Sequence, residues 1–183
     1  MSHDPETLFE QLLAEQRERR LPPVDQWKPE REGRIDMRIA RDGTWYHEGE
    51  PIRRDAMVRL FSTILRREGD RFCLVTPGEK LELEVEDAPF LAVGLERAGE
   101  GDAQRLLFTT NVGEHVLVDA AHPLQVDDVD GEPAPYVLVR DGLWARLTRS
   151  VFYRLVDLAE HAPGDPRSLI VRSGGETFEL GRI

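Results

Sequence analysis

The chain has 183 residues, 40% hydrophobic and 7% aromatic, a composition that excludes disorder throughout and is long enough for one large or two small domains. Its formal net charge of −11 excludes general nucleic-acid binding and attraction to anionic membranes, both of which draw affinity from phosphate neutralisation. The lone cysteine, Cys73, excludes an internal disulfide and a cysteine-based zinc site, and no apolar run approaches the roughly 18 residues of a membrane helix.

Met1-Ser2-His3-Asp4-Pro5 lacks the basic and apolar regions of a signal peptide, so a cytoplasmic protein is expected. Asp4-Pro5 reads as a helix start, a capping acceptor followed by proline at the first helical position. Leu8, Phe9, Leu12 and Leu13 follow at helical spacing, and Arg17, Arg19 and Arg20 suit the negative end. The stripe is short, so the helix is expected to lie on the domain as a lid or to meet a partner. Leu21-Pro22-Pro23 stops it, and the segment to Glu32 reads as loop.

Ile35, Met37 and Ile39 alternate with polar residues as a half-buried strand, and Asp42-Gly43 turns it into a return strand over Thr44 to His47. A helix is expected from Arg53 to about Arg67, with Ala56, Met57, Leu60, Phe61, Ile64 and Leu65 inward and Gly69 closing it. Phe72 to Thr76 and Leu81 to Val85 read as a second hairpin around Pro77-Gly78. Cys73 reads as a small buried apolar residue. Asp87-Ala88-Pro89 breaks the chain. Three antiparallel strands, Phe90 to Glu96, Gln104 to Thr109 and Glu114 to Val118, then precede an acidic loop over residues 119–135.

The first pattern then returns. Arg140-Asp141-Gly142-Leu143-Trp144 repeats Arg41-Asp42-Gly43-Thr44-Trp45 at a separation of 99 positions. Ile52, Arg54, Arg59 and Leu60 match Leu147, Arg149, Arg154 and Leu155 at 95, the difference falling on the turn-like Glu48-Gly49-Glu50-Pro51. Glu79 to Leu83 matches Glu176 to Leu180. The expected fold is α+β, two related halves from an internal duplication (hairpin, helix, hairpin), the second enlarged by antiparallel strands. The expected boundaries are residues 1–33 for the helix and loop, 34–86 for the first half and 87–183 for the second.

No catalytic motif is present: there is no phosphate-cradling glycine loop, no His-Glu-x-x-His and no Gly-x-Ser-x-Gly. His47, His115, His122 and His161 are scattered. Trp45 and Trp144 occupy matching places, as core residues or as stacking surfaces between the halves. Arg54 and Arg149 begin matching helices, where a cation opposes the dipole unless an anion is near, so each is expected beside an acid (Asp55, Asp42 or Asp141) or a ligand phosphate. Lys80 is either a surface cation beside Glu79 or Glu82, or an anion contact. Arginines are concentrated in the first half, eight with six acids between Arg38 and Arg71, against fourteen acids and three bases between Glu79 and Glu132.

Gly43-Thr44-Trp45-Tyr46-His47, Pro51-Ile52, Leu74-Val75-Thr76-Pro77-Gly78-Glu79-Lys80, Val85-Glu86-Asp87-Ala88-Pro89-Phe90, Thr110-Asn111-Val112, His122-Pro123-Leu124 and Pro135-Tyr136-Val137 resemble, in order, the bacterial domain-of-unknown-function family 1285. The likeness runs from about Arg34 to Leu180, with Gly78 as a departure where relatives are expected to carry a larger residue. The resemblance implies a second half superficially like a pleckstrin-homology domain, a site between the halves for a nucleotide-like molecule, and a role in signal transduction. On that basis the expected ligand is anionic and nucleotide-like. Trp45 would stack, Lys80, Arg54 and Arg140 would meet anionic oxygens, and His47, Thr76 and Asn111 would hydrogen-bond, on a locally positive surface between the halves. No catalytic residue, metal or cofactor is assigned. The alternatives are a protein-interaction adaptor without a small ligand, or a metal-dependent hydrolase using His47, His122 and Asp87.

Overall fold

Strand alternation and tight turns build the first sheet. The computed structural model describes residues 5–183, so Asp4 of the expected helix start lies outside the described residues. Strands β1 (Arg31–Ile39), β2 (Trp45–His47) and β3 (Glu50–Pro51) form one antiparallel meander, and β4 (Leu65–Glu68), β5 (Arg71–Val75) and β6 (Glu79–Val85) another. Helix α2 (Asp55–Thr63) links them, and the parallel pair β1/β6 joins them in the order β3-β2-β1-β6-β5-β4.

The second sheet repeats this plan. β7 (Phe90–Ala98), β8 (Arg105–Thr110) and β9 (His115–Leu117) form one meander, and β10 (Leu124–Val129), β11 (Glu132–Arg140) and β12 (Leu143–Leu147) the other. They join along the parallel pair β12/β7 in the order β10-β11-β12-β7-β8-β9. Helix α3 (Arg149–Asp157) and a three-stranded sheet of β13 (Glu160–Ala162), β14 (Asp165–Ser173) and β15 (Glu176–Arg182) complete the chain. The protein is a two-domain mixed α/β fold, with three α-helices among the described residues and two six-stranded sheets of the same strand order, consistent with duplication.

The sequence repeat and the sheet repeat are out of phase. The sequence aligns the β1–β2 hairpin with β11–β12, and the order hairpin, helix, antiparallel strands does recur. The pairing does not: β6 closes on β1, whereas β15 stays in its own sheet and β7 takes the place beside β12.

Helix α1 (Pro5–Glu18) buries Phe9 and Leu13 against Ala98 and Leu107, so it covers the second sheet. Its polar side is fixed too. Glu10 pairs with Arg105, whose guanidinium lies 4.8 Å over the Phe9 ring, and Gln16 accepts from the His115 backbone N–H at 2.8 Å.

Three expectations need correction. Helix α2 ends at Thr63 rather than Arg67: the hydroxyls of Ser62 and Thr63 donate to the carbonyls of Arg59 and Leu60, competing with the helical ladder, and Leu65 is buried instead as the start of β4. Gly69 therefore turns the β4–β5 hairpin. Ala56, Met57 and Leu60, expected inside, are exposed, Met57 at 37% and Leu60 at 63%. The acidic loop over residues 119–135 contains β10 and the start of β11; Leu124 of β10 is buried and Val126 half-buried, while Gln125, Asp127 and Asp128 are exposed.

Candidate functional site

The domains meet on a continuous apolar core that runs from Met37, Ile39 and Trp45 to Phe90, Leu143 and Leu155. Two arginines fasten its rim. Arg140 of β11 donates to the Ser62 carbonyl at 2.8 Å and pairs with Glu114 at 2.9 Å, while Arg67 of β4 donates to the Gly142 carbonyl at 3.0 Å. Beside the Arg67 contact, a cavity of about 280 Å³ opens between the domains, and Trp144 and Tyr136 line it from the second domain.

Trp144 lies there and Trp45 does not, although both hold the same place in their hairpins. At the first turn Ala40 donates to the Thr44 carbonyl across three residues, and Gly43 takes φ +89°. At the second, Arg140 pairs with Leu143 across two residues, and Asp141 and Gly142 have φ 42° and 77°, the twist that a two-residue hairpin needs. The register shift between Leu138 and Arg140 absorbs the shorter turn, so Trp144 keeps a partner six residues upstream, as Trp45 does. The two hairpins turn opposite faces to the core: Trp45 pairs with the buried Ile39 and is 1% exposed, whereas Trp144 pairs with the half-buried Leu138 and lines the cavity while Leu143 and Ala145 beside it are buried.

The register across β10, β11 and β12 supplies the polar groups. Gln125, Tyr136 and Arg146 are successive cross-strand neighbours. Tyr136 donates its phenol to Asp87 at 2.7 Å, and Arg146 donates to the Tyr136 oxygen at 3.2 Å and to Asp87 at 3.3 Å. Burial, and then the Asp87 carboxylate, push the Tyr136 phenol above its ordinary value, so it stays a donor. Across the cavity Arg67 lies 5.4 Å over the Phe72 ring. The Trp144 indole, the Arg67 guanidinium and the side chains of Gln125 and Asp127 thus border one space. A planar molecule can stack there and exchange hydrogen bonds at its edge.

None of the seven residues expected to bind ligand lines this cavity. Trp45 is in the core, stacked on Phe61 at 6.3 Å, with its indole nitrogen without a hydrogen-bond partner among the described residues. Lys80 is held by Glu68 at 2.9 Å and Glu32 at 3.0 Å. Arg140 is taken by Glu114 and Ser62. Thr76 accepts from the N–H groups of Gly78 and Glu79 at the turn, and Asn111 accepts from Leu91 N–H at 3.0 Å. His47 is exposed near Glu48, and Arg54 is exposed at the start of α2. The expected positive surface is not what lines the cavity, where Arg67 faces Asp87 and Asp127.

The hydrolase constellation does not assemble: His122 bonds the Leu138 carbonyl at 3.1 Å, and no group of three or more ligating side chains is placed for a metal among the described residues. Asp87 and Trp144 were visible in the sequence in other roles. Arg67, Phe72 and Gln125 carried no signal, because only pairing and domain contact bring them together. No described helix is long and apolar enough to cross a membrane.

No curated protein matches the chain. A DUF1285 family protein from Silicibacter pomeroyi DSS-3, solved at 2.50 Å, is 50% identical, with 94% of this chain and 95% of that one covered at a TM-score of 0.84. A DUF1285 family protein from Shewanella baltica OS155, solved at 1.40 Å, is 31% identical over 67% of this chain and 91% of that one, with a TM-score of 0.54. Residues 22–88 match the N-terminal domain of the domain of unknown function DUF1285, and residues 89–180 match the C-terminal domain. The chain belongs to the DUF1285 family.

Proposed function

We propose that the protein is a binding module, not an enzyme, and that it holds a nucleotide-like molecule at the junction of its two domains. The observation that carries this reading is that Arg67 of one domain and Trp144 of the other line the same cavity. The ring stacks on Trp144, its edge bonds Gln125 and Asp127, and its anionic end meets Arg67. Stacking contributes about 1–3 kcal/mol and a charge-assisted hydrogen bond about 1.5–3 kcal/mol, enough together for micromolar affinity after the association cost. A ligand touching both domains biases their relation, which is what a role in signal transduction requires. In this reading the second domain, strands capped by α3, is the pleckstrin-homology-like part.

A thermal-shift panel of nucleoside phosphates and cyclic nucleotides tests it. A ligand present at about a hundred times its Kd stabilises by about 2.7 kcal/mol. The expected result is a shift with at least one nucleotide that Trp144→Ala abolishes. No shift with any of them at about millimolar concentration overturns the proposal. The competing reading, a protein-interaction adaptor without a small ligand, draws support from the core that fills most of the space between the domains.

A further inference from the structure

A second concavity lies away from the junction. Phe152 and Val156, one turn apart on α3, Leu169 of β14 and Leu180 of β15 line it, with Val126 of β10 opposite, and its volume is about 340 Å³. Ile183 at its edge is 72% exposed, and Val129, further along β10, is 47% exposed. One rim is acidic, with Asp127 and Asp128 in the lining. The β10–β11 hairpin carries four carboxylates, Asp127, Asp128, Asp130 and Glu132, and no basic residue between them. Asp128 is held in place by the Gly131 N–H at 2.7 Å, and Asp127 by Gln125 at 2.7 Å. The cation on the other rim, Arg182, is occupied by Asp165 at 2.9 Å and Glu179 at 3.9 Å.

We propose that this groove docks an extended peptide segment of a partner protein in which apolar side chains alternate with lysine or arginine. Its apolar side chains cover Phe152, Val156 and Leu180, and its cations meet the hairpin carboxylates. Charge complementarity selects this occupant. An acidic segment meets like charge, and so does a second copy of this chain, whose net charge is −11. An apolar floor beside fixed charges gives both affinity and register, which either feature alone does not. The groove and the junction cavity share only Asp127, so the two sites can be tested apart.

The probe is a fluorescein-labelled heptapeptide, Lys-Leu-Lys-Val-Lys-Leu-Lys, followed by anisotropy. Saturable binding that weakens with added salt is expected. Asp128→Asn, Asp130→Asn and Glu132→Gln together keep the turn acceptors and remove charge, and are expected to weaken binding about tenfold. Val156→Trp fills the groove and should weaken it at least as much. Nuclear magnetic resonance on the wild-type protein removes dependence on that variant: the amides of Val126, Leu169 and Leu180 should shift. Equal binding of the glutamate counterpart, or of Lys-Ser-Lys-Ser-Lys-Ser-Lys, overturns the proposal. So do shifts confined elsewhere, or self-association that maps to the groove.

Discussion

Arg140 reaches from β11 to Glu114 at 2.9 Å, and the carboxylate it meets is only 2% exposed. The same guanidinium donates to the Ser62 carbonyl at 2.8 Å at the end of α2 and lies 5.5 Å over the Phe90 ring. One side chain thus neutralises a buried acid and ties the first domain to the second. Arg140→Ala strands that acid and is expected to destabilise the fold by about 3–5 kcal/mol in urea unfolding. Replacing both partners, Arg140→Met with Glu114→Leu, should recover most of the loss. A loss below about 1 kcal/mol for the single variant would return Arg140 to ligand binding.

Lys80 donates to Glu68, and this bond, then the nearby Arg66 charge, hold the Glu68 carboxyl below its ordinary value of 4.5. A depressed folded pKa contributes stability that is present above the unfolded pKa and lost as pH falls through the folded one. Lys80→Ala is therefore expected to melt below wild type at about pH 7, the gap closing as pH drops under 4.5. Thermal melts across that range decide it. An unchanged melting temperature with weaker nucleotide binding would restore Lys80 as an anion contact.

Burial, and then the neighbouring Glu68 charge, push the Cys73 thiol up to about 11. The thiolate is the nucleophile, so at about pH 8 the folded protein has about a hundredfold less of it than an ordinary thiol. Ellman's reagent should leave Cys73 unmodified in the native protein and react fully in guanidinium. Rapid native modification would mean that the β4–β5 edge opens.

Gly43 and Gly49 have similar positive φ, +89° and +82°, but different surroundings. A Cβ at Gly49 meets nothing within 4 Å, whereas one at Gly43 comes within 2.8 Å of Leu91 and 3.1 Å of Asn111. Gly49→Ala should cost about 1–2 kcal/mol of backbone strain in chemical denaturation. Gly43→Ala should cost clearly more, because it also pushes the β1–β2 turn off the second domain. Equal losses would show that the turn yields without disturbing that contact.

The sequence by itself determined the family, the mixed α/β class and most strands, because alternation, turn glycines and repeated motifs are local signals. It placed β1, β2, β5 and β6 through Met37, Ile39, Trp45 and Leu83, and the β7–β9 meander through its turns. Tertiary structure alone decided where the repeat's residues go. The β11–β12 hairpin turns the opposite face to the core from β1–β2, burying Val139, Leu143 and Ala145 and leaving Trp144 half-buried, although the motif reads almost the same. Only long-range pairing showed that β7, not β15, lies beside β12. Lys80 and Arg140 read as available cations because charge is written in the sequence but the position of the counter-charge is not. Glu68 and Glu114, 12 and 26 residues away, are brought to them by strand pairing and chain reversal. Strand pairing and domain contact are non-local, and both the junction cavity and the neutralisation of the expected cations depend on them.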